Sequence, residues 1–340
     1  MRARATATVS VSQNKIVNRQ RIAVITTSYP SDSDDSAGHF VQAEVERALD
    51  EGHDVTVFAP KAQRNQASNL ARVINIVHFG AFGAPGALSR LRWRPDHWMG
   101  VVFFVVTARW ALRKQGPFDH CVAHFMVPSF WPICSDSSLP LEIVIHGSDL
   151  RLFELLPRLF RKVILRGLHS GKRSIRCVSD ELAQRLERQL GEESDILIRV
   201  EPSLIHIPAL PDKLALRKQL AIGPETLVVI ASRLVRSKRV DVALRAATAL
   251  PNAKVVVCGD GPEFPKLKQR FPRANFLGHL PRLQVLQWIR AGDVVICASR
   301  KEGAPTVVRE ARALGTPVVT TAAGDLAKWA EWDPGIRVVL

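Results

Sequence analysis

The segment "KEGAPTVVRE", residues 301–310, sets two carboxylates, Glu302 and Glu310, eight positions apart with a glycine and a proline between them. Pro305 suits the first position of a helix, where its preset φ helps and its missing N–H costs nothing. The N–H groups of the 303–307 stretch are then unpaired donors at a helix start. Glu302 falls just outside that helix and Glu310 more than a turn inside, on the order of 8–12 Å apart at about 1.5 Å of rise per residue. A carboxylate accepts two hydrogen bonds at once, which suits a pair of hydroxyls. A sugar and a ribose joined by a diphosphate span a similar length. On spacing alone, a capping acid and an exposed helical glutamate are the better account of the pair.

Other residues of chemical interest also follow apolar runs. In "VVIASRLVRSK", Arg233 and Lys238 stand just past a strand and can hold a diphosphate, or can simply be a surface pair. In "VVVCGDGPE", Gly259 and Gly261 keep a strand end open. "LEIVIHGSD" ends in His146 and Gly147, so an imidazole faces whatever lies beyond the strand, and His124 after "FDHCVA" occupies a similar place. After "RIAVITT", the pair Ala37-Gly38 opens a helix, and a glycine there lets a phosphate approach bare N–H groups. This is not the GxGxxG spacing of dinucleotide sites. The acids Asp32, Asp34 and Asp35 before it read as a solvated loop, and no metal site is expected.

The elements that must position these residues alternate. Strands read at 21–27, 53–60, "RVINIVHF", "FDHCVAHF", "LEIVIHG", "IRCVS" and "DILIRV", with helices at 38–52, 98–114, 150–168 and 179–190. Residues 201–225 hold four prolines and read as an interdomain passage plus one helix. The alternation then restarts, with helices at 239–250, 263–271, 281–291 and 305–315 and closing strands "PVVTT" and "IRVVL". Short apolar strands alternating with amphipathic helices mean a parallel sheet with crossover helices. The chain therefore reads as α/β with two Rossmann-like domains, residues 20–205 and 206–340, behind a leader at 1–19. Its ligand lies beyond the carboxyl ends of the strands, in the cleft between the domains.

The 340 residues suit two domains, each large enough for its own core. The formal charge is +15, and the excess lies mainly before residue 220. It points to an anionic partner: nucleic acid, a membrane surface or a phosphorylated substrate. No zinc-ligand spacing or sheet-borne aromatic motif accompanies it, so nucleic acid is not expected. The five cysteines form no CxxC and read as small buried hydrophobes in a reduced compartment. The leader has no apolar stretch, which argues against a secretory signal. The run "MGVVFFVVTARWAL" contains Arg109 and is too short to span a bilayer.

Together these residues resemble the retaining GT-B glycosyltransferases of family 4, the glycosyl transferases group 1. The likeness covers roughly 21–60 and 118–340. It is carried by E-x7-E from Glu302 to Glu310 in "SRKEGAPTVVREARALGTPVV", by Arg233 and Lys238 in "SRLVRSKRVDVALRAA", and by "GDGPE" and "FLGHL" in order. The resemblance implies a GT-B fold and a nucleotide-diphosphate sugar, a UDP- or GDP-sugar, as donor, with no other cofactor. It gives Glu310 the ribose and Glu302 the transferred sugar. Arg233 and Lys238 neutralise the diphosphate, helped by the amides across Gly303, Ala304, Pro305 and Thr306. His146 touches the sugar from the other domain, and Gly38 and Gly259 line the donor site. The implied reaction retains configuration, and the leaving phosphate helps deprotonate the acceptor hydroxyl. The chain departs from the family where Ala37-Gly38 replaces Gly-Gly and "PSLIH" replaces the usual Asn-Gly. It ends at "GIRVVL", so the C-terminal part is expected to be short of the helix that crosses back to the first domain.

Two stretches add a membrane reading. "RWRPDHWMGVVFFVVTARWALRK", with Trp93, Trp98 and Trp110, and "RLFELLPRLFRKVILR" offer basic and apolar faces that suit an anionic lipid surface. Packing on the sheet would explain the same amphipathicity. A surface site implies a glycan or lipid-linked acceptor and a protein peripheral on the cytoplasmic face of the membrane. A nucleotide-sugar epimerase of the same architecture and a non-catalytic nucleotide-sugar binder are the alternatives.

Overall fold

The structure is a computed structural model. It describes residues 19–30, 38–60, 71–82, 91, 94, 96–133, 136–190 and 196–339. Residues 1–18 of the leader, the acids at 32, 34 and 35, Ala37, Trp93 and Cys134 lie outside the described residues.

The first half runs β1 (Arg21–Ile25), α1 (His39–Asp50), β2 (Asp54–Pro60), β3 (Arg72–Ile76), α2 (His97–Gln115), β4 (His120–His124) and the short α3 (Met126–Ser129). It continues with β5 (Leu141–Ile145), α4 (Ser148–Leu155), α5 (Arg158–Leu168), β6 (Arg173–Cys177), α6 (Asp180–Leu190) and β7 (Leu197–Val200). The sheet order is β3-β2-β1-β4-β5-β6-β7, and every pairing is parallel. Such strands are covered on both faces, which is why β1 buries four consecutive apolar residues, Ile22 to Ile25. The chain steps one way from β1 to β2 and the other way from β3 onward. Right-handed crossovers therefore put α1 on one face and α2 to α6 on the other. The cores agree: Val41 and Val45 of α1 pack with Ile22, Val24, Val55 and Val57. Phe104, Leu150, Ile164 and Leu182 pack on the opposite side with Ile143 and Ile145.

The second half runs α7 (Lys213–Gln219), β8 (Thr226–Ala231), a 3-10 turn (Arg236–Lys238), α8 (Val240–Thr248), β9 (Ala253–Cys258), α9 (Phe264–Arg270) and β10 (Asn275–Gly278). It closes with α10 (Arg282–Ala291), β11 (Val294–Cys297), α11 (Thr306–Ala313), β12 (Val318–Thr320), α12 (Leu326–Trp332) and β13 (Ile336–Val338). The order β10-β9-β8-β11-β12-β13 is again parallel throughout. In both sheets the order reverses beside the first strand of the half, at β1/β4 and at β8/β11. Those switch points open the crevices where open α/β sheets bind ligands.

Four expectations change in detail. The helix expected at 150–168 is two, because Leu156 precedes Pro157 and is pushed to extended backbone, φ −67° and ψ 147°. Pro305 flanks α11 with ψ 115° and is not its first helical residue. Helix α12 was not foreseen; its seven residues are too few to show a helical period. Packing on the sheet accounts for only one side of α2. It buries Val101, Phe104, Ala108 and Leu112, yet Trp98, Met99, Val102, Phe103, Val106 and Trp110 are exposed. The four described cysteines, Cys121, Cys177, Cys258 and Cys297, are buried and free.

Candidate functional site

The carboxyl ends of the two sheets face each other. Built as alanine, Gly303 would place its Cβ 3.4 Å from the His146 carbonyl and 3.1 Å from Leu182. His39, the first residue of α1, brings Nε2 to 3.6 Å from Glu310 Oε1. The Glu302–Glu310 segment of the second half therefore meets the ends of β1 and β5 in the first.

On the second-half side the polar contacts are short and local. Lys238 leaves the 3-10 turn and donates from Nζ to Glu302 Oε1 at 2.5 Å. The turn is tied to the glutamate's loop by Arg300 N–H donating to the Ser237 carbonyl at 2.9 Å. Lys238 also lines a recess with Ser232, Cys297 and Ser299 at the ends of β8 and β11. Arg233, just after β8, is exposed. Glu310 is 6% exposed, so it is not the solvated helical glutamate that spacing alone allowed. Its Oε1 accepts from Arg282 Nε at 3.1 Å and Nη2 at 2.8 Å. The same guanidinium donates to the His206 carbonyl at 2.7 Å. Gly303, Ala304 and Thr306 lead into the start of α11, where no carbonyl of a preceding turn meets the amides. Among the described residues, none of their N–H groups donates to a backbone carbonyl outside the regular elements.

Gly38 and Gly259 sit where a side chain would collide. Gly38 has φ +74°, and a Cβ there would lie 2.4 Å from the Ser28 carbonyl oxygen. Its absence lets α1 start against the loop after β1 and beside Glu310. Gly259 has φ +141°, with the Ser232 carbonyl oxygen 1.9 Å from where a Cβ would be, so the loop after β9 lies directly on the segment that carries Arg233.

On the first-half side the site is a buried polar assembly. His146, half-buried at the end of β5, packs between the rings of Phe40 and Phe125, with centroids at 4.7 and 4.5 Å. Its Nε2 lies 3.1 Å from Nδ1 of His124. His124 is fully enclosed, and burial, reinforced by the Arg176 charge, holds its pKa down to about 3. His146 is shifted the same way, by burial first and by His124 second. Behind it, Asp149 accepts the backbone N–H of Met126 at 2.8 Å, His146 at 3.1 Å and Gly147 at 2.8 Å. Burial raises its carboxyl to about 6 despite those bonds. The carboxylate fixes the turn after β5 and so the direction of His146.

A further contact spans the two halves below the site. The Asp325 carboxylate accepts the N–H groups of Asp180 at 2.6 Å and Glu181 at 3.1 Å, capping α6 from the other domain, and Lys328 pairs with Asp180. Arg309 donates to the Ser203 carbonyl at 2.5 Å. The structure thus links Lys238 to Glu302, sets Gly303 against the His146 carbonyl and brings Glu310 to the start of α1. It adds His39, Arg282, Glu44 and Asp325, which the sequence reading did not single out. His39 carried a signal, as the residue after the helix-opening Gly38; Arg282 carried a weaker one, as the first residue after "HLP". Among the described residues, no group of three or more His, Cys, Asp or Glu is arranged to hold a metal.

Comparison with known proteins places this geometry in a class. Residues 212–331 match the family described as "Glycosyl transferases group 1", and the two parallel sheets with their helices have the GT-B architecture. Over 331 aligned residues it is 27% identical to the putative teichuronic acid biosynthesis glycosyltransferase TuaC of Bacillus subtilis (strain 168), covering 90% of this chain and 82% of that one. Sucrose-phosphate synthase from Thermosynechococcus elongatus superposes with TM-score 0.72 at 19% identity, over 94% of this chain and 86% of that one. Anabaena HepE in complex with UDP and glucose gives 0.63 at 18%, over 91% and 83%.

Proposed function

We propose that the protein transfers a glycosyl group from a UDP- or GDP-sugar to a hydroxyl of a growing surface glycan or lipid-linked acceptor, with retention of configuration. The observation that carries this is that Glu302, with Lys238 on it, and Glu310 flank Gly303, which lies against the His146 carbonyl of the first half, while Glu310 itself faces His39. In this reading residues 206–340 hold the donor. Glu310 takes the ribose hydroxyls, exchanging its Arg282 and His39 contacts for them. Lys238 and Arg233, with the N–H groups of Gly303, Ala304 and Thr306 on either side of Pro305, neutralise the diphosphate as it leaves. Glu302, released from Lys238, receives the sugar hydroxyls, while Gly38 and Gly259 let backbone approach the donor. Residues 20–205 present His146 and the acceptor side. The departing phosphate oxygen accepts the acceptor's proton, the bond from the anomeric carbon to phosphate breaks, and the bond to the acceptor oxygen forms on the same face. The likeness to TuaC, whose description concerns teichuronic acid, supports a polysaccharide acceptor. HepE, solved with UDP and glucose, supports the donor class.

The experiment is a thermal-shift screen of UDP- and GDP-sugars followed by turnover, with the product's anomeric configuration read by NMR. A ligand that binds only the folded state raises the melting temperature. An inverted product sinks retention, an altered nucleotide sugar argues for an epimerase, and binding without turnover on an acceptor panel argues for a binder.

The outer face of the first half supports a membrane-bound acceptor. Met99, Phe103, Val106 and Trp110 form one exposed stripe of α2 at helical spacing, with Trp110 63% exposed. On the same side of the sheet α5 exposes Leu159 (72%), Phe160 and Val163 among Arg158, Lys162 and Arg166. Apolar side chains flanked by cations match the boundary of an anionic bilayer. Among the described residues no helix is long and apolar enough to cross one. The reading is of a protein peripheral on the cytoplasmic face. Flotation with anionic liposomes is expected, reduced by high salt and by Trp110→Asp with Phe160→Asp; equal flotation with neutral liposomes would sink the electrostatic part.

A further inference from the structure

A line of side chains runs behind His146 that the reaction as proposed does not use. Glu44 of α1 takes Nη1 of Arg176 at 3.0 Å and Nη2 at 2.5 Å. Arg176 Nε also lies 3.5 Å from Glu142 Oε1, which accepts from Arg199 Nη2 at 2.7 Å. In the other direction Glu44 Oε2 is 3.6 Å from Nε2 of His124, and Nδ1 of His124 is 3.1 Å from Nε2 of His146. The line ends there: His146 Nδ1 has no hydrogen-bond partner among the described residues and is not enclosed.

The order of hydrogens along this line follows from the charge at its far end. Burial keeps both imidazoles neutral near pH 7, so each ring carries one N–H. A bare Nε2 on His124 would aim its lone pair at the Glu44 carboxylate. An Nε2–H aims a positive hydrogen there instead, and at 3.6 Å in a dry interior that difference is electrostatic even though the contact is long for a hydrogen bond. With its hydrogen on Nε2, His124 Nδ1 can only accept, and its neighbour within reach among the described residues is His146 Nε2, which must donate. We propose that Glu44 and His124 are positioning residues that hold His146 as the Nε2–H tautomer, so that it meets the donor sugar as a hydrogen-bond acceptor at Nδ1. A sugar hydroxyl, which can donate, fits that nitrogen; a phosphate or carboxylate oxygen does not. The sugar half of this inference rests on the proposed placement of His146 against the donor; the tautomer half rests on the geometry alone.

The test is the nitrogen spectrum of protein labelled with 15N-histidine at pH 7, with His146→Asn used to assign the ring. The expected wild-type spectrum shows the His146 hydrogen on Nε2 and a bare Nδ1. A hydrogen on Nδ1, or on both nitrogens, overturns the proposal without need of any activity. In Glu44→Gln the new amide can donate to His124 Nε2, which reverses the line and moves the His146 hydrogen to Nδ1. With UDP-glucose or GDP-mannose, whichever turns over, kcat/KM is then expected to fall roughly ten- to hundredfold. The Kd for the bare nucleoside diphosphate, which has no sugar, stays as in wild type. A His146 hydrogen that stays on Nε2 in the variant overturns the role of Glu44. A hydrogen that moves with kcat/KM unchanged upholds the tautomer lock and refutes contact with the sugar. Should the variant fail to fold, the wild-type spectrum still decides.

Discussion

The two walls of the cleft solve the same problem in opposite ways. On the second-half wall the chemistry is contiguous: Glu302 to Glu310 is one loop and one helix, and its partners Lys238 and Arg282 each reach one of the two carboxylates directly. On the first-half wall no two polar residues of the line are neighbours in the chain. Glu44, His124, His146 and Arg176 come from α1, β4, β5 and β6, and the sheet order alone brings them together. On the proposed assignment, a contiguous wall exchanges its internal ion pairs for ligand contacts one at a time. A distributed wall stands or falls as a unit, because removing one member leaves its neighbours buried and unpaired.

Substitutions on the two walls should therefore separate function from stability. The largest effect belongs to the contiguous wall. On the proposed assignment Glu302→Gln lowers kcat by about 10²–10³-fold, with little change in melting temperature or in nucleoside diphosphate affinity. A parallel loss of stability would mean that the two walls are not so different. On the distributed wall Arg176→Met leaves Glu44 and Glu142 facing each other without their shared cation. About 3 kcal/mol of stability should be lost, read as a lower urea midpoint, and turnover per folded molecule should suffer less than in Glu302→Gln.

The distributed wall also predicts a pH dependence. His124 binds its proton at about 3 when folded and near 6.5 when unfolded. In that interval the unfolded chain holds more protons, so stability is complete above pH 6.5 and is lost as pH falls. His146 acts in the same sense. Asp149, about 6 folded against 3.8 unfolded, acts oppositely between those values and offsets part of the loss. The net expectation is a fall in unfolding free energy from pH 7 to pH 5, because two histidines act against one aspartate, and a profile that stays flat or gains stability toward pH 5 would show that the two histidines are not held neutral. The smallest effect sharpens the boundary between the walls. Gly38→Ala sets a Cβ against the Ser28 carbonyl at positive φ, at a cost of about 1–2 kcal/mol, and it should weaken nucleotide affinity as well, since α1 starts beside Glu310.

What the sequence disclosed follows the same division. Strand and helix alternation was readable because parallel strands are apolar throughout and crossover helices are amphipathic, and the pair Glu302 and Glu310 was readable because its spacing lies within one element. Arg282 as the partner of Glu310, and Glu44 and Arg176 behind His124, were not. Their significance comes from which strands lie side by side, which local pattern does not carry. The outer face of α2 illustrates a different limit: apolar residues at 98, 99, 102, 103, 106 and 110 look like core until the sheet is seen to cover only the other side.

Asp325 gives the cleft a built-in reporter. Because a carboxylate from one domain caps the first amides of α6 in the other, the halves cannot part without exposing the Asp180 and Glu181 N–H groups to water. Hydrogen exchange at those two amides should therefore track how often the molecule swings apart, and a bound donor that bridges the gap should slow both together.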